Sequence, residues 1–177
     1  RRKQGWCDSP LTALGIEQAQ TVGAALRERG LAFDHAYSST SERACDTLEL
    51  AFPGQSYSRV KGLKEWNFGK FEGASEDLNP RLPYGDFFKQ YGGEDEAELR
   101  ERLMATITDI MRRPGHESVL AVSHGAATAQ VMRAVGVEPL DMKERIGNCC
   151  VLTLDFDPQT ERFAFADLYN PYGTPRV

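Results

Sequence analysis

The chain has 177 residues, is 41% hydrophobic, and carries 21 Lys and Arg against 26 Asp and Glu, for a formal net charge of −5. That is about one domain's length, with enough apolar material for a core. The acidic balance argues against a nucleic-acid partner, which needs a basic face, and no apolar run approaches the roughly 18 residues that read as a membrane span.

In chain order, Thr12 is predicted to cap a helix running to about Arg29, with Gly30 as its stop. Ile16, Ala19, Val22 and Leu26 supply its inward stripe. A short extended piece, Ala36 to Ser38, follows, and Ser39 to Ser41 offer caps for a second helix that ends before Pro53-Gly54. Residues 53–93 hold seven of the 16 glycines and three of the nine prolines, so the region reads as loop. Loops this long in compact domains are often functional. Residues 95–113 give the clearest helix, with Leu99, Leu103, Ile107, Ile110 and Met111 on one face. Ser118 to Val122 is the apolar run of a buried parallel strand. Ser123-His124-Gly125 then leads into a helix ending near Gly136, and Val151–Phe156 and Arg162–Ala166 read as a hairpin across Asp157 to Thr160. Helices alternating with strands predict an α/β fold. The expected form is a three-layer α/β/α sandwich over a mixed, mostly parallel central sheet, with the hairpin as its antiparallel component.

Few residues are placed for chemistry. Cys7, Cys45, Cys149 and Cys150 lack metal-ligand spacing and read as reduced thiols of a cytoplasmic protein. His116, in Pro-Gly-His-Glu-Ser, reads as a solvated turn residue, and His35 as a loop histidine. His124 differs, because it stands where a strand ends and a helix begins. Ligands collect at the carboxyl ends of strands in open α/β sheets. The N–H groups of Gly125, Ala126 and Ala127 would face such a ligand, and with the helix dipole they favour an anion. Arg43 occupies a similar junction. Its charge is unfavourable in the first turn of a helix, and a bidentate anion would compensate. A plain exposed ion pair with Glu42 or Asp46 would do so too. Glu65 lies among aromatics, where a carboxyl can have a raised pKa and act as an acid near neutral pH. There is no G-x-S-x-G, no nucleotide-binding glycine loop and no His-x-x-x-His.

Four stretches in order carry a resemblance. Gly5 to Thr12 with Gly15 and Gln18-Ala19 is one; Ser39 through Arg43-Ala44 and Thr47 is the second. Leu63-x-Glu65 through Gly69 and Glu72-Gly73, and then Ser123-His124-Gly125, complete it, with Tyr91 to Glu94 also fitting. The chain resembles the histidine phosphatase superfamily, the phosphoglycerate-mutase-like fold, along nearly its whole length. The resemblance implies one domain over residues 1–177 and a metal-independent phosphomonoester phosphatase that forms a phosphohistidine. Arg43, His124, Gly125 and Ala126 would hold the phosphate, and Glu65 would be the proton donor. Gln4, Gly5 and Trp66 would line the substrate pocket. No cofactor and no metal is implied, and the partner would be a small phosphorylated metabolite. The family's Arg-His-Gly motif, which supplies the nucleophilic histidine, is not in the sequence, which opens Arg1-Arg2-Lys3. It is expected upstream, together with a strand of the sheet. Mutases of the family carry a longer insertion between the acid loop and the second histidine. Here 58 residues, positions 66 to 123, lie between Glu65 and His124, which favours a phosphatase over a mutase. An inactive phospho-ligand-binding homologue is the third reading.

Overall fold

The computed structural model describes residues 2–175. Among the described residues four α-helices and seven strands follow in the order α1 (Ala13–Glu28), β1 (His35–Ser38), α2 (Glu42–Ala51), β2 (Ser58–Arg59), α3 (Glu96–Met111), β3 (Val119–Val122), α4 (Gly125–Ala134), β4 (Glu144–Arg145), β5 (Val151–Asp157), β6 (Arg162–Tyr169) and β7 (Thr174–Pro175). Thr12 accepts a hydrogen bond from the Gly15 N–H and caps α1 as its position predicts, and Gly30 takes a positive φ of 75° just beyond the helix. Asp95 and Glu98 form a reciprocal capping box at the start of α3.

The central sheet is parallel, in the order β2-β1-β3, with His35 opposite Val119 and Ser38 opposite Val122. Helices α1 and α2 pack on each other, and so do α3 and α4. The main core joins Trp66, Phe68, Phe88, Leu99, Leu103, Ala127 and Val131. A smaller cluster of Tyr37, Leu63 and Ile110 lies beside β1.

Three features depart from the sequence reading. The hairpin β5–β6 forms a two-stranded sheet of its own, with an irregularity between Thr153 and Leu154, rather than an antiparallel component of the central sheet. It joins the fold through Leu152 and Leu154, which pack on the main core. Strand β3 is half-buried rather than buried, with Ala121 exposed; among the described residues β1 is its one hydrogen-bonded neighbour. His116 is no free turn residue either. Its ring stacks on His35 at 3.7 Å between centroids, and its Nε2 lies 2.7 Å from the Tyr37 hydroxyl.

Residues 61–91 hold four single turns of 3-10 helix and no longer element. What gives this stretch its shape is aromatic packing. The Trp66, Tyr84 and Phe71 rings all meet the Phe88 ring edge-on, at 5.4–5.9 Å between centroids. Edge-to-face pairs of this kind add about 0.5–1.5 kcal/mol each beyond the area they bury. No helix among the described residues is long and apolar enough to cross a membrane.

Candidate active site

Strands β1 and β3 end level with each other, so the residues after them, Ser39 and Ser123-His124, fall side by side. His124 is the N-cap residue of α4, in extended conformation. Its Nε2 lies 2.8 Å from the Ser39 hydroxyl, and that hydroxyl is fully buried and accepts from the Ser41 N–H. Burial, reinforced by the positive charge of Arg43, pushes the His124 pKa down to about 3. Lys64 and Arg102 act in the same direction and Asp8 opposes them. The imidazole is therefore neutral in the unliganded site.

Glu65 reaches the start of α4 from the acid-bearing loop. Its carboxylate accepts from the Ala126 N–H at 2.9 Å, the Ala127 N–H at 2.8 Å and the Trp66 N–H at 2.9 Å. Burial raises its pKa, against the pull of those three donors and of Arg43. The Ser123 hydroxyl binds the Leu63 carbonyl at 2.8 Å, which ties the end of β3 to the same loop.

These contacts correct the expectation for Ala126. Its N–H is engaged by Glu65, as is that of Ala127, so neither is open to an anion. The donor of the helix start that has no partner among the described residues is Gly125, and the space where a Cβ would sit there is open.

Arg43, in the first turn of α2, is not paired with Glu42 or Asp46. Its Nη1 donates to the Cys7 carbonyl at 3.0 Å and to Asp8 at 2.8 Å. Its Nη2 donates to the carbonyls of Gln4 at 2.9 Å and Gly5 at 3.0 Å. All four terminal N–H groups thus hold the loop 4–8. The opposite face of that loop is held by Glu72, which accepts from the N–H groups of Gly5, Trp6, Cys7 and Phe68 at 2.8–3.1 Å. The loop lies between a guanidinium that takes its carbonyls and a carboxylate that takes its amides.

Of the residues expected to line a pocket, Gln4 is exposed on this loop, and Gly5 is buried so tightly that a Cβ would stand 2.1 Å from the Trp66 carbonyl. Trp66 is a correction: it is 2% exposed and belongs to the core, with its indole N–H on the Glu94 carbonyl. The tryptophan beside the site is Trp6. Its indole N–H donates to the Glu65 carbonyl at 3.0 Å, and its ring faces the ammonium groups of Lys61 and Lys64, each 5.1 Å from the centroid. Nothing in the sequence separates these two indoles. Glu72, by contrast, carries a signal in the sequence, the Glu72-Gly73 pair that forms part of the family resemblance.

A family model described as histidine phosphatase superfamily (branch 1) matches residues 1–167. The 2,3-bisphosphoglycerate-dependent phosphoglycerate mutase of Rhizobium etli is 35% identical over 138 residues, covering 68% of this chain and 65% of that protein. The chain therefore spans somewhat less than two thirds of that relative's length. Among solved structures, a phosphoglycerate mutase from Bacillus anthracis aligns with a TM-score of 0.80 at 25% identity, over 93% of this chain and 84% of that one. A phosphoserine phosphatase from Entamoeba histolytica, in complex with 3-phosphoglyceric acid, aligns with a TM-score of 0.74 at 25% identity, over 94% and 87%. The chain belongs to the histidine phosphatase superfamily, branch 1, and its mixed α/β fold is the one these structures share.

Proposed function

We propose that the protein is a metal-independent phosphomonoester phosphatase of the cytoplasm, acting on a small phosphorylated metabolite through a phosphohistidine. The observation that carries this reading is the meeting of Glu65, His124 and the open Gly125 N–H at the start of α4, with the charge of Arg43 within electrostatic reach of both side chains. An anion seated there meets a helix N-terminus within the field of the Arg43 charge, and these take the part a metal plays elsewhere. In this reading the nucleophile is the histidine of the family's Arg-His-Gly motif, which is not among residues 1–177. That histidine attacks phosphorus, and the P–O bond to the leaving group breaks as Glu65 delivers a proton to the departing oxygen. Glu65, now a carboxylate, takes a proton from water as water displaces the histidine and releases phosphate. A phosphate dianion at Gly125 favours the protonated form of His124, which is neutral without it.

A mutase is the second reading, favoured by the names of the Rhizobium etli and Bacillus anthracis proteins. The short interval between Glu65 and His124 favours the phosphatase. Hydrolysis of p-nitrophenyl phosphate by the natural full-length protein, undiminished by chelator, is the expected result. Interconversion of phosphoglycerates dependent on a bisphosphate primer, without net phosphate release, would replace the phosphatase by the mutase. Intact mass addresses the nucleophile: full turnover by a protein of 19.7 kDa would place it within these residues and overturn the mechanism.

A further inference from the structure

The geometry points to Arg102, on α3, as a positioning residue for Glu65: its guanidinium fastens the backbone on which that carboxylate is mounted. The inference rests on the reading of Glu65 as the proton donor.

The segment 62–67 runs flush against α3. A Cβ on Gly62 would stand 2.0 Å from the Thr106 hydroxyl oxygen, so glycine alone permits the approach. One turn before Thr106, Arg102 projects into this seam. Its Nη1 donates to the carbonyls of Gly62 at 2.8 Å and Lys64 at 3.0 Å, and its Nη2 to the carbonyl of Glu65 at 3.2 Å. The remaining two N–H groups pair bidentately with Glu94, at 2.7 Å from Nε and 2.8 Å from Nη2. Every donor a guanidinium owns is engaged.

Glu94 completes the clasp. Its carboxylate accepts from the Asn67 N–H at 3.0 Å, its own N–H donates to the Asn67 carbonyl at 2.9 Å, and its carbonyl takes the Trp66 indole at 2.7 Å. The pair thus grips the chain before, at and after Glu65. The Glu65 carbonyl is fixed by Arg102 and by the Trp6 indole, and its carboxylate by Trp66, Ala126 and Ala127. A carboxyl that must meet a leaving oxygen is held to a few tenths of an ångström only if its own backbone cannot drift. An ion pair serving stability alone would need no contact with three carbonyls of the acid's own segment. A lysine at 102 could not reproduce them, because its ammonium is a compact charge with three donors and no planar fork.

The test compares an alkyl phosphate, whose leaving group needs a proton, with p-nitrophenyl phosphate, which does not, in the natural full-length enzyme. Arg102→Lys and Glu94→Gln are expected to lose about tenfold or more in kcat on the alkyl phosphate and less than about threefold on p-nitrophenyl phosphate, a part of the roughly 10²–10⁴ that general acid catalysis supplies. KM should change little for either substrate. The alkaline limb of the alkyl-phosphate profile should move to lower pH, as water reaches a loosened Glu65. Glu94→Gln leaves Arg102 in place, so it keeps the inference testable if the arginine variant fails to fold. Equal losses on both substrates with an unmoved alkaline limb, while Glu65→Gln still discriminates between them, would overturn the role of Arg102 alone. A Glu65→Gln enzyme that loses equally on both would overturn the acid assignment and this inference with it.

Discussion

Glu65 and Glu72 stand seven positions apart in one loop, and each binds several backbone N–H groups, yet their proton affinities move in opposite directions. Glu72 accepts four such bonds, and although burial pushes its pKa up, the amides of Trp6, Cys7 and Phe68 outweigh it and bring the pKa below the usual carboxylate value. Glu65 accepts three, and its burial prevails, so its pKa rises. The number of donors is similar; the access of water is not. The half-open carboxylate holds its negative charge, and the buried one at the start of α4 holds its proton more tightly. Desolvation decides the sign once donor counts are close.

The sharpest way to break this comparison is to remove each charge in turn. Glu65→Gln is expected to slow alkyl phosphate hydrolysis by about 10²–10⁴ at a modest stability cost of about 1 kcal/mol in urea, since its one amide oxygen replaces two accepting oxygens and its NH2 faces a backbone N–H. Glu72→Ala should do the reverse. It strands four amides at once, and at about 1–3 kcal/mol for each unmade buried bond, moderated by water entering a half-open loop, a loss of about 3 kcal/mol in urea denaturation is expected. A Glu72→Ala protein as stable as the parent would show that the loop 4–8 is held by Arg43 alone. Arg43→Lys tests that other face. It keeps the charge and loses the fork, so a stability cost of about 1–2 kcal/mol and a several-fold rise in KM are expected together.

The smallest and finest test is pH. Glu72 has a lowered folded pKa, so its contribution is present above its unfolded value of 4.5 and is lost as pH falls through the folded one. Glu65 has a raised folded pKa, so its contribution is present below 4.5 and is lost as pH rises through the folded one. Stability profiles of Glu65→Gln and Glu72→Gln against the parent should therefore diverge in opposite directions across the acid range. His124 adds a slope of its own. Its unfolded form takes a proton below pH 6.5 while the folded form resists to about 3, so stability falls with pH through that window by up to about 1.4 kcal/mol per unit. His124→Asn should flatten that slope in chemical denaturation at pH 4–6.

The sequence yields the helices readily, because Thr12, Gly30 and the Asp95–Glu98 box act within a few residues of themselves. It yields His124 from its place after an apolar run. Residues 61–91 resist such reading for a physical reason: their shape comes from rings meeting Phe88 and from a carboxylate, Glu72, binding amides more than 60 residues earlier in the chain. Neither leaves a period in the sequence. The same holds for Ala126, whose N–H is open by position along the helix and is closed by Glu65 from 61 residues away. The place of Trp66 is not legible in the sequence, because an indole next to an acid reads alike whether it faces a substrate or a core. The separate sheet of β5 and β6 is not legible either, because strand character says nothing about which edge a strand joins.

The level ends of β1 and β3 carry a consequence for how this chain can vary in length. Each strand has four residues, and their register sets Ser38 opposite Val122, which places Ser39 against His124. One residue inserted or deleted in either strand would turn alternate side chains to the wrong face and part the serine from the imidazole. Residues 76–82, mostly exposed and lying before Tyr84 joins the aromatic cluster, carry no such register. That span can lengthen or shorten while the residues at the ends of β1 and β3 keep their spacing.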